Sequence, residues 1–154
     1  MTEPETTHSG ILARLKAETQ AEHDAIERVL DLTSDVLTLA AYRERLERLY
    51  GFHRPVEAHL HAVPGVDVHA RRKHPLLLED LRALGSHDPE QLPLCVELPP
   101  LAGPADRFGC LYVLEGATLG GRVIARHVSR TLGVTPASGG RFFHGYDART
   151  AAMW

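Results

Sequence analysis

The sequence contains little that would place it outside a reducing interior. Cys95 and Cys110 are the only cysteines, and they form no C-x-x-C pair. Neither a disulfide scaffold nor a cysteine zinc site is available, and both are expected as free thiols. The opening stretch MTEPETTHSG has no basic start and no apolar centre, so no secretory signal is visible. No uncharged apolar run approaches the length of a bilayer span. An excess of one charge is missing too: the net charge of −3 creates no field favouring nucleic acid or an anionic membrane. No segment alternates apolar and polar residues as a half-buried strand does, and no repeat or low-complexity tract occurs. The expectations are a cytoplasmic protein with no nucleic-acid and no membrane partner.

What is present is helical periodicity in a chain long enough to bury one core. Residues 1–9 read as a disordered leader and 10–154 as a single helical domain. A first amphipathic pattern runs from Gly10 through Ile11, Leu15, Ile26 and Leu30, with His23 beside its apolar face and Glu27 one turn further on. Thr38 suits the N-cap of a second helix, whose stripe includes Tyr42, Leu46, Tyr50, His53, Val56 and Leu60 and contains Pro55. Pro75 suits the first turn of a third helix and Gly85 the position after its end. An irregular, proline-rich connection over 87–104 follows. Gly133 stops a long helix that begins near Ala105. Ser138, Gly139 and Gly140 read as a flexible joint, and Asp147 as the cap of a last short helix. The fold class expected is all-α, a multi-helix bundle.

The long helix contains the least ordinary stretch, LYVLEGATLGGRVIARH from Leu111 to His127. Leu111, Leu114, Leu119 and Val123 approximate a helical period, and Ile124 and His127 extend the same side. Gly116, Gly120 and Gly121 interrupt it, each costing about 1 kcal/mol relative to alanine. Gly116 and Gly120 share a face, and a face without side chains admits either a second helix or a flat ligand. A membrane G-x-x-x-G reading fails on Glu115, Arg122 and Arg126.

Ten histidines is the one unusual count. His23 has Glu27 four residues away, the arrangement that orients a metal-bound imidazole, although the same spacing also suits a core-edge histidine beside a surface glutamate. His59 and His61 diverge around a helix; His69, His74 and His87 belong to loops and are expected to be solvated. His127, at the end of the long helix, suits the negative helix terminus. No Glu-x-x-His, H-E-x-x-H or zinc-finger spacing occurs, which argues against di-iron, zincin and zinc-finger chemistry. One helix with a candidate axial histidine and another with a bare glycine face suit a planar cofactor, and haem is the obvious one.

Two motifs then resemble the haem oxygenase family, in particular its bacterial, bacteriophytochrome-associated, biliverdin-producing members. Leu15–Glu27 (LKAETQAEHDAIE) is similar to the proximal helix, and Leu111–Gly121 (LYVLEGATLGG) to the distal helix. YGFHRPVE (50–57) and FFHGY (142–146) also resemble this subgroup. The resemblance implies His23 as the axial iron ligand, Glu27 as its neighbour, Lys16 facing a propionate, and Gly116, Gly120 and Gly121 against haem. It implies cleavage of haem, both cofactor and substrate, to biliverdin, carbon monoxide and ferrous iron. Molecular oxygen and electrons from a ferredoxin or reductase would be needed, with a bacteriophytochrome as one recipient of biliverdin. The alternative is a haem-binding or sensory module without turnover. Many family members carry aspartate after the first distal glycine; here that residue is Ala117, so Thr118 or water would have to serve in proton delivery. The family's chain also continues past the position of Trp154 into a further helix, which this sequence does not contain. Phe142, Phe143 and Trp154 are therefore expected to be unusually exposed. Arg122, Arg126 and Arg130 form a basic stripe, either a solvated helix face or a dock for an acidic electron donor.

Overall fold

The computed structural model describes residues 6–153. Among these residues there are helices and no strand; the one β-bridge, Val63 to Val66, closes a turn. The all-α expectation therefore holds. The chain forms two compact units, Met1–Leu32 and Thr33–Trp154.

The first unit is a helical pair, α1 (Thr6–Glu18) and α2 (Gln20–Leu30). Thr19 alone leaves the helical backbone between them, and its hydroxyl donates to the Leu15 carbonyl at 2.9 Å. The i→i+4 ladder nonetheless runs through it, from Thr19 N–H to Leu15 and from His23 N–H to Thr19, both at 3.0 Å. Helix α1 starts at Thr6, so 6–9 are helical rather than leader. The rest of the expected leader, residues 1–5, lies outside the described residues, as does Trp154.

The second unit contains α3 (Leu39–His59), α4 (His74–Ala83), α5 (Pro104–Leu132), α6 (Arg141–His144) and α7 (Thr150–Met153). Thr38 caps α3 by accepting the Ala41 N–H at 3.2 Å, as its residue type predicts. Gly133 ends α5 in the left-handed conformation, φ +69°, where a glycine is favoured. Helix α4 packs on α3, α6 packs on both α4 and α5, and the core joins α3 to α5 through Val56, Leu60, Leu111 and Leu114. Full burial of each leucine contributes about 1.5–3 kcal/mol. By length and composition α5 could cross a membrane. Its inner face lies in the core and carries a buried, paired glutamate.

Three expectations about the C-terminal segment are corrected. Phe142 and Phe143 are both only 4% exposed. They stack edge to face at 4.9 Å, and Phe142 meets His53 at 5.2 Å while Phe143 meets Tyr42 at 6.3 Å. The joint at Gly139 is pinned rather than loose, because the buried Tyr42 hydroxyl donates to the Gly139 carbonyl at 2.9 Å. Asp147 does not cap α7 with its side chain, since its carboxylate is held by Arg141 at 2.6 Å.

Candidate functional site

On α2, the His23 Nδ1 lies 3.5 Å from Glu27 Oε1, with side-chain exposures of 63% and 68%. The i, i+4 spacing produces this contact without help from the rest of the fold. Asp24 joins them, and one ligand atom from each of the three lies within 4.8 Å of the others. An exposed imidazole with a carboxylate at its second nitrogen leaves Nε2 for a metal. Lys16, on α1, is exposed in the last turn of its helix.

On α5, the three glycines separate into two classes. A methyl added at Gly116 or Gly120 would meet nothing within 4 Å. A methyl at Gly121 would stand 2.8 Å from the Phe143 carbonyl oxygen. Gly121 is thus a packing glycine that lets α6 approach the α5 backbone. Thr118 is buried, its hydroxyl donates to the Glu115 carbonyl at 2.6 Å, and its methyl faces Gly145. It sits on the side of the helix opposite Gly116 and Gly120.

The apolar residues of α5 divide in the same way. Leu111 and Leu114 are core, whereas Val113, Leu119 and Val123 are about half exposed or more. Val113, Gly116, Gly120 and Val123 follow the i, i+3, i+7, i+10 progression of one stripe. A smooth, uncharged strip, low at the glycines and raised at each end by a valine, therefore faces outward, with exposed Ala117 at its edge. Taken by itself, this surface of the second unit has the shape and chemistry to receive a flat apolar ring, and in the first unit the His23 imidazole has a donor atom that an iron could use; each is chemistry that haem binding employs.

His127 offers no second candidate ligand. It is buried, and its Nε2 makes a 3.0 Å hydrogen bond with the Ser34 carbonyl while Arg130 approaches its Nδ1. His87 is 96% exposed, but His74 is not a solvated loop residue: it begins α4 and is paired with Glu57.

Beneath the glycine strip lies a polar interior that helical periodicity does not single out. Lys73 and Glu115 form a buried ion pair, each side chain under 5% exposed. Tyr146 donates its hydroxyl to the same Glu115 oxygen at 2.8 Å, and Arg71 donates to the other at 3.1 Å. Burial and the carboxylate of Glu115 raise the Tyr146 phenol above its ordinary range. A second buried carboxylate, Glu57, accepts the Lys73 amide at 3.0 and 3.1 Å and the His74 amide at 3.2 Å, so it caps the N-terminus of α4. His53 and His74 complete its shell at 2.9 and 2.7 Å. Burial would raise this carboxyl, but the bonds from His53, His74 and the Lys73 amide overcome it and hold it at about 2. Asp80 accepts the amides of Arg141 and Phe142 at 2.7 and 2.8 Å; burial wins there, helped by Glu79, and pushes its carboxyl up to about 6. The one signal in the sequence is positional: Glu115 and Glu57 interrupt apolar stripes at core positions, which a glutamate occupies only when paired.

Arg122, Arg126 and Arg130 project along one side of α5 and, with Phe143, His144 and Asp147, line an open groove of about 760 Å³. Asp147 is already paired with Arg141, so the groove is electropositive.

A family model described as heme oxygenase matches residues 9–154. A heme oxygenase from Xanthomonas campestris pv. campestris (strain 8004) is 42% identical over 93 residues, covering 60% of this chain and 53% of that protein. The chain thus spans about half the length of this curated relative. No solved structure matches it.

Proposed function

The chain belongs to the heme oxygenase family, and from that premise we propose that it binds haem and cleaves it oxidatively to biliverdin, carbon monoxide and ferrous iron. The single observation that carries this reading is the open glycine strip of α5 in a chain that also presents the His23–Glu27 pair. Haem, when bound, supplies both the iron that engages oxygen and the porphyrin that is opened. This chain's residues bind and orient it.

His23 would hold the iron through Nε2, and Glu27 would fix the tautomer and rotation of its ring. Lys16 offers an ammonium to a propionate. Gly116 and Gly120 let the backbone of α5 lie close to the ring, and Val113 and Val123 exclude water at the ends of the strip. Ala117 has no group to hold or move a proton, and the Thr118 hydroxyl is turned inward, so proton delivery would fall to water beside the glycine backbone.

Electrons come from a ferredoxin or reductase whose acidic surface meets Arg122, Arg126 and Arg130. Cytoplasmic location, and transfer of biliverdin to a bacteriophytochrome, follow from the subgroup that the two helix motifs resemble. Ala117 favours one second reading, a haem-holding sensory module that does not turn over. The experiment adds haem to the protein, then reductant and oxygen. A histidine-ligated spectrum followed by growth of biliverdin absorption supports the enzyme. A stable spectrum without product supports the sensor, and no spectrum overturns both.

A further inference from the structure

We propose that Glu115, clamped by Lys73 and Tyr146, is the positioning residue that fixes the glycine strip of α5 against its planar ligand; this rests on the haem-binding reading above. Glu115 directly precedes Gly116, and Gly120 and Gly121 follow within two turns, so this is the stretch where α5 is intrinsically weakest. Its carboxylate is held from two separate segments. Arg71 and Lys73 approach from the turn before α4, and Tyr146 from the turn after α6. Lys73 is also fixed from behind: its ammonium donates to the Arg71 carbonyl at 3.2 Å and to the Tyr146 hydroxyl at 3.2 Å, and its amide is held by Glu57. The cluster therefore sets where residue 115 stands along and around the helix axis. One turn beyond the strip's near end, Gly121 meets the Phe143 backbone and sets a second fixed point. Gly116, Ala117 and Gly120 span the interval between the two.

Stability alone is a poor reason for this arrangement. A buried ion pair costs desolvation, and well-packed apolar replacements of similar volume are often neutral or stabilising. A carboxylate triangulated by donors from two segments gains instead in definition of place. A glycine strip needs that definition, because it has no side chains with which to adjust to a ligand.

The test is the double variant K73M/E115M, which removes both charges together and keeps unbranched side chains of similar length. Circular dichroism and a cooperative melt check folding. Haem titration and the optical spectrum of the ferric haem complex are the readouts. The expected result is a folded protein that binds haem about tenfold more weakly or worse, with a shifted and broadened spectrum. A folded double variant with wild-type affinity and spectrum would overturn the positioning role while leaving haem binding intact. Y146F is the milder variant, removing one hydrogen bond to Glu115 from a half-buried ring. It should shift the spectrum in the same direction by less, and if the double variant does not fold, an unchanged affinity and spectrum in Y146F would overturn the proposal. Absence of haem binding by the wild-type protein would overturn both readings.

Discussion

Gly120 and Gly121 are adjacent in the chain and serve opposite purposes: Gly120 faces open space, while Gly121 lies against the Phe143 backbone. The difference is one step of about 100° around the helix axis. It decides which substitution disturbs the fold and which disturbs the ligand.

Gly121→Ala should therefore destabilise the second unit. A methyl forced to 2.8 Å from a backbone oxygen must push α6 away from α5, an overpacking cost of about 1–3 kcal/mol. Gly120→Ala should instead gain up to about 1 kcal/mol from helix propensity. Gly120→Leu should keep the helix and lose haem. Urea denaturation and haem titration of the three variants check this. Equal losses of stability at 120 and 121 would contradict the division of the helix into two faces.

His23→Ala should abolish the histidine-ligated haem spectrum, and added imidazole should restore it. His127 cannot substitute, because it is buried and bonded to Ser34. Glu27→Gln should weaken binding only slightly, since an amide can still accept from Nδ1 and an exposed pair at 3.5 Å is worth about 0–1 kcal/mol. A His23→Ala protein with an unaltered haem spectrum would remove His23 from the iron.

The parts of this protein that could be read from its sequence are those encoded locally. The end of α5 at Gly133, the Thr38 cap and the shared face of Gly116 and Gly120 depend on residues within one or two turns of each other. The polar interior does not. Lys73 meets a glutamate 42 positions away and Asp80 caps an amide 62 positions away, and no local period connects them. The burial of Phe142 and Phe143 is hidden for the same reason: their cover comes from His53 and Tyr42 on α3, far away in the sequence. The role of Gly121 depends on where α6 docks, which the glycine pattern alone does not encode.

Two of the buried carboxylates, Glu57 and Asp80, predict opposite pH dependences. Glu57 is held at about 2 in the fold against an ordinary 4.5, so its contribution to stability is present above pH 4.5 and is lost as pH falls towards 2. Asp80 is raised from 3.8 to about 6, so its contribution is present below pH 3.8 and is lost as pH rises through 6. Each limb is on the order of 3 kcal/mol. Denaturant titrations between pH 2 and 8 should show both limbs, with Asp80→Asn removing the decline between about pH 4 and 6 and leaving the acid limb. A variant that kept the upper decline would assign it to another group.

Reversing the basic stripe should separate electron delivery from haem binding. Arg122, Arg126 and Arg130 are exposed on α5, and their guanidinium hydrogen bonds are long, 3.3–3.5 Å, so changing them leaves the core undisturbed. They lie outside the glycine strip, which predicts that R122E/R126E/R130E takes up haem as the wild type does. Encounter with an acidic donor depends on the field of such a patch, and its reversal should slow donor-supported turnover by about 10- to 1000-fold at low salt. The deficit should shrink as salt screens the interaction, because the Debye length falls to about 3 Å at 1 M. Turnover driven by a small chemical reductant should be unchanged, since a small molecule needs no docking face. Steady-state rates with a ferredoxin system and with dithionite, each at two salt concentrations, make the comparison. Equal loss with both reductants would place the arginines in the architecture of the haem site, and no loss with either would move the donor to another face of the protein.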